Sequence, residues 1–125
     1  MSPSTEHDVP SERGSVRSAV ANAIVRLHAE HYGRGPTRAR TLIGEDVVVV
    51  ILEDVLTPAE RTLARAGHAA QVQATRAAFS EALREEFVAA VEIATGRHVR
   101  AFLSQTNVDP EVGVSVFMLE PLAGG

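Results

Sequence analysis

The chain has 125 residues, of which 45% are apolar and 22% charged, with a net charge of −4 and no cysteine. That length suits one domain around one core, and the missing thiols exclude disulfides and thiolate chemistry. The acidic balance argues against a nucleic-acid surface, which is ordinarily basic.

The longest unbroken apolar run, Val47 to Leu52, falls far short of the ~20 residues of a spanning helix. Direct membrane insertion is therefore not expected. The first residues do not read as a secretory leader, and a cytoplasmic location is the expectation. All 12 basic residues are Arg. Such a bias accompanies GC-rich coding and weakens any special role for an individual Arg.

Residues 1–14 are rich in Ser, Pro, Glu, Asp and Gly and are expected to form a mobile tail. A single domain should span 15–120, with a flexible tail at 121–125. The first helix is expected to start at Ser15, because Val16, Val20, Ile24 and Leu27 recur at helical spacing. Gly33 is a left-handed stop, and Gly35-Pro36 prevents continuation. Thr37 to Ile43 and Val47 to Leu52 read as a hairpin turned by Gly44-Glu45-Asp46. The second of these strands is apolar on both faces and belongs near the centre of a sheet.

Thr57-Pro58-Ala59-Glu60 is the sharpest local signal. Thr57 can accept from the amide of residue 60, Glu60 can reach back to the Thr57 amide, and Pro58 suits the first helical turn. A short helix to about Ala66 should follow, closed by Gly67. One long helix from Ala69 to Thr95 comes next, burying Val72, Phe79, Leu83, Phe87, Val91 and Ala94. Gly96 ends it. His98 to Thr106 alternates, with Val99, Ala101 and Leu103 on one face, Arg100 and Ser104 on the other, and Phe102 interrupting the polar side. After turn residues Asn107 to Glu111, Val112 to Leu119 forms the last strand.

The fold class is α+β: a four-stranded, mainly antiparallel sheet of two hairpins, helices on one face, order α-ββ-α-α-ββ. Three helical segments cover one face of such a sheet and leave the other apolar. A second copy of the chain is the expected cover, which makes the protein a homodimer.

Candidate chemistry is sparse. The loop from Gly33 to Arg40 offers Arg34, Arg38 and Arg40 as donors to a small anion or nucleotide. No helix starts behind it and no phosphate-loop pattern is present, so a helix stop followed by a polar edge strand is the plainer reading. His28 and His31 are spaced to share a metal, but no carboxylate accompanies them; placement near a helix C-terminus already accounts for them. A hydrolase using His28, His31 or His98 is the third and weakest reading. Glu60 is accounted for by its capping role, and Asp54 stands alone beyond the central strand. No nucleophile, base and oxyanion donor come together, so no catalytic residue and no cofactor is assigned. Thr57, Pro58, Glu60, Gly33 and Gly96 are read as structural.

Three stretches carry a resemblance: Tyr32-Gly33-Arg34-Gly35-Pro36-Thr37, Leu56-Thr57-Pro58-Ala59-Glu60-Arg61-Thr62-Leu63-Ala64, and Thr95-Gly96-Arg97-His98-Val99 running on to Phe117-Met118-Leu119-Glu120. In that order they resemble the MpsC-like family, a bacterial domain of unknown function. The resemblance covers roughly Val16 to Glu120. It implies association with a sodium-translocating, membrane-potential-generating system linked to bicarbonate uptake, hence a membrane transport protein as partner. It implies no catalytic residues. Asn107 stands where members of the family often carry Asp. The functional expectation is a non-enzymatic, dimeric accessory or regulatory domain, with the small-anion sensor as its alternative.

Overall fold

The structure, a computed structural model, describes residues 8–122. Its elements are α1 (Asp8–Tyr32), β1 (Arg38–Ile43), β2 (Val47–Glu53), α2 (Pro58–Arg65), α3 (Ala69–Ala82), α4 (Arg84–Thr95), β3 (Val99–Asn107) and β4 (Val112–Leu119). The class is α+β. The four strands form one antiparallel sheet in the order β1-β2-β4-β3.

Both hairpins form as their turn residues and alternation demand. They join through β2 and β4, in register from Val47 opposite Met118 to Glu53 opposite Val112. These two strands occupy the middle of the sheet, where their apolar residues on both faces belong. One face is packed beneath the helices. Val48, Val50 and Leu52 of β2, Phe117 and Leu119 of β4 and Phe102 of β3 are buried there with Val20 and Ile24 of α1, Val72 of α3, and Phe87 and Val91 of α4. The rings of Phe87, Phe102 and Phe117 stack in sequence, with centroids 5.9 Å and 4.9 Å apart, a spacing favoured by aromatic quadrupoles.

Three boundaries differ from expectation. The first helix begins at Asp8 rather than Ser15, so residues 8–14 of the expected tail are helical; residues 1–7 lie outside the described residues. The expected single helix over 69–95 is two. It breaks at Leu83, with φ −101° and ψ 11°, although no Gly or Pro marks the place. The break lets α4 pack along α1, where Glu86 meets His31 at 3.1 Å. The third difference is in β3. Phe102 points under the helices, while Ala101 and Leu103 are exposed, because the register shifts between Val99 and Ala101.

The local signals hold. Thr57 accepts from the Glu60 amide at 3.1 Å, and the Glu60 carboxylate accepts from the Thr57 amide at 2.8 Å, with Pro58 at the first turn. Gly33 and Gly96 take positive φ of 82° and 71°, the left-handed geometry that lets a helix stop without a Cβ clash.

Candidate functional site

Among the described residues one face of the sheet is left uncovered by the helices. Alternation along each strand sends Leu42 of β1, Val47, Val49 and Ile51 of β2, and Val114, Val116 and Met118 of β4 away from the helices. Ala101 and Leu103 of β3 extend this face. The pairings Leu42–Val49, Val49–Val116 and Val116–Leu103 run straight across all four strands. At the two outer strands the apolar surface is fully open, with Leu42 51% and Leu103 58% exposed. Four strands ~4.8 Å apart and about seven residues long at ~3.3 Å per residue span roughly 440 Å². The apolar residues occupy the middle of that area, which makes the face a candidate interaction surface.

The rim of this face is polar and asymmetric. Arg38 and Arg40 lie exposed on β1, and Gln105 and Asn107 lie exposed on β3. Glu53 stands opposite Arg38, their charged groups 3.9 Å apart.

Beneath the helices a second set of polar residues forms two adjoining clusters at the Glu53 end of the sheet. In the first, Arg76 of α3 is 3% exposed. Its guanidinium donates to both Glu60 oxygens and to the Val55 carbonyl, at 2.7–2.8 Å, and lies 3.8 Å from the centroid of the Tyr32 ring. Burial pushes the Glu60 carboxyl up, but hydrogen bonds from Arg76 and Thr57 outweigh it and hold the group below its ordinary range. Burial raises the Tyr32 phenol, and it lowers the His28 imidazole despite the hydrogen bond from His28 Nδ1 to the Ile24 carbonyl at 3.0 Å.

In the second cluster Arg34 donates to the carbonyls of Asp54 and Leu56 at 2.8 Å and 2.7 Å and to the Asp54 carboxylate at 3.3 Å. Arg61 bridges Asp54 and Glu111, with a 2.7 Å contact to Glu111. That contact, chiefly, holds the Glu111 carboxyl below its ordinary range. Glu111 also accepts from the Leu56 amide. Asp54 itself sits at φ 60°, a conformation Asp tolerates better than most residues. Three cations and three carboxylates, from five different stretches of chain, thus compensate one another and tie the loops at this end of the sheet.

The candidates from the sequence fall as follows. Arg34, Arg38 and Arg40 do not converge: Arg34 turns inward to Asp54, while Arg38 and Arg40 lie on the open face. His28 and His31 do not converge either. His28 is packed against the rings of Tyr32 and Phe87, and His31 faces Glu86. His98 is exposed near Glu92. Among the described residues no group of three or more His, Asp or Glu is placed to hold a metal ion. Asn107 is engaged locally, donating to the Pro110 carbonyl at 2.7 Å. Arg76 escaped the sequence reading, which left it out of the buried stripe of its helix. Its four-residue step from Val72, itself followed along the stripe by Leu83 and Phe87, was the available signal. Phe79, counted within the stripe, is 40% exposed and packs on Tyr32.

The fold and its open face define an α+β domain with a one-sided sheet. The model of one family, described as the Na+-translocating membrane potential-generating system (MpsC), matches residues 12–121. The chain belongs to that family. It is 27% identical over 108 residues to the uncharacterized protein YbcI of Bacillus subtilis (strain 168), covering 86% of this chain and 87% of that one. No solved structure matches it. Among the described residues no helix is long and apolar enough to cross a membrane.

Proposed function

We propose that this chain is a non-enzymatic accessory domain that works as a homodimer, serving a bacterial sodium-linked, membrane-potential-generating system through a transport protein partner. The family membership supports the association with such a system. The observation that carries the dimer is the open, apolar sheet face.

A second copy is the occupant that the rim favours. When two such faces pack about a twofold axis parallel to the strands, β1 of one protomer lies over β3 of its partner. Arg38 and Arg40 then meet the amide oxygens of Gln105 and Asn107, not other cations. An isologous contact needs this kind of self-complementarity. The pair of faces supplies roughly 900 Å² of projected area, and side-chain relief and the rim bring it toward the ~1,200 Å² of a specific interface.

The test is light scattering at micromolar concentration, comparing the parent with Val116→Arg, a charge at the centre of the face. The parent should return about twice the 13.3 kDa chain mass, and Val116→Arg should return a folded monomer. A parent that stays monomeric, or a variant that stays dimeric, would sink the proposal.

A further inference from the structure

At the β3 edge of the sheet, beside the rim of the proposed dimer face, a groove of about 390 Å³ opens between α3 and β3. It leads to a chamber of about 10 Å³ beneath α1, room for about one water. The groove and the chamber share Arg76, Ser80, Ser104 and Thr106. The chamber exists because β4 presents Gly113 and Ser115 to the helices between the bulkier Val112–Leu119 positions, and a Cβ added to Gly113 would meet nothing closer than 3.7 Å.

The lining is one-sided in its chemistry. It has hydroxyls from four elements and an imidazole, Arg76 is its only cation, and it has no carboxylate. Ser80 and Ser104 face each other across the groove at 3.2 Å. Ser115 is 6% exposed, and its hydroxyl makes no hydrogen bond among the described residues. Arg76 binds Glu60 and Val55 through Nε and Nη2, and its guanidinium also lies against Tyr32. A half-open groove rich in donors, with no carboxylate in its lining, is complementary to an acceptor-rich ligand.

We infer that this groove binds a small oxyanion, a monocarboxylate fitting best, with one oxygen in the chamber on Ser115 and Ser104 and the other on Arg76 and Ser80. Glu60 cancels the formal charge of Arg76, so binding relies on placed donors more than on net charge. Any short apolar tail of the acid lies along Ala74 and Ala77 at the mouth.

The probes are sodium acetate, sodium formate and sodium phosphate, titrated at constant ionic strength against sodium chloride and followed through amide NMR shifts. Acetate should give saturable shifts centred on Ser80, Ser104, Thr106 and Ser115. Ser104→Ala should weaken it about tenfold through the lost donor, and Ser115→Val, which fills the chamber, should abolish it. Arg17→Glu, exposed on α1 and outside both linings, should leave it unchanged. Chemical shift dispersion confirms that each variant is folded. Saturation by phosphate but not acetate would overturn the monocarboxylate assignment. No saturable response to any probe, or a response indifferent to both serine variants, would overturn the site. Neither result bears on the dimer.

Discussion

Replacing Glu60 by Gln leaves the buried Arg76 without its counterion. The cap survives, since the Gln side chain still accepts from the Thr57 amide, so the loss isolates the charge. Stranding a buried ion costs about 3 kcal/mol or more. Arg76→Met should cost about 2 kcal/mol: the Val55 carbonyl loses its donor and Tyr32 its stacked cation, while the Glu60 side chain, 15% exposed, keeps the Thr57 amide. If the two effects were independent, the double variant would lose about 5 kcal/mol. The structure predicts instead a loss of about 2 kcal/mol, because no unpaired charge remains. For a chain of this size each kcal/mol moves the melting temperature by about 4 °C. Glu60→Gln should therefore melt about 12 °C below the parent and the double variant only about 8 °C below. Urea denaturation read by circular dichroism supplies the free energies. An additive double variant would refute the view that Glu60 and Arg76 act as one compensated buried unit.

Thr57→Ala, which removes the cap but not the ion pair, should cost about 1 kcal/mol in the same assay. Gly96→Ala should cost about 1–2 kcal/mol; no atom lies within 4 Å of the added Cβ, so the cost is that of φ 71° alone, and Gly96→Asn should cost less. Stability should fall in two stages on acidification. The folded-state pKa of His28 lies below its ordinary value of 6.5, so under pH 6.5 the unfolded chain takes up a proton that the folded chain refuses, and stability declines. Glu60 and Glu111 are held below their ordinary 4.5; their contribution is complete above that value and is lost as pH falls through the folded values. Melting curves across pH 2–7 check both stages, and His28→Gln should flatten only the first.

Much of the architecture was legible because it rests on short-range chemistry. The capping box at Thr57 and Glu60 is closed within four residues. The stops at Gly33 and Gly96 depend on one dihedral each, and β2 announces itself by an unbroken apolar run and β3 by alternation. The two-faced apolar strands β2 and β4 also foretold a sheet whose helices cover one side. The direction in which the loop arginines turn was not legible, for an equally physical reason. Gly33 to Arg40 has the composition of an anion cradle, but Arg34 finds the carbonyls of Asp54 and Leu56, twenty residues or more away, and composition carries no record of where a side chain turns.

Local backbone preference and side-chain periodicity were thus enough to specify the elements, their caps and the class of fold. The bend at Leu83, the facing of Phe102 and the burial of Arg76 are of another kind. Each is settled by a distant neighbour: α1 for α4, the aromatic stack for β3, and Glu60 with Tyr32 for Arg76. Such choices are made by the free energy of packing and desolvation between segments far apart in the chain, and no local window of residues contains both sides of that balance.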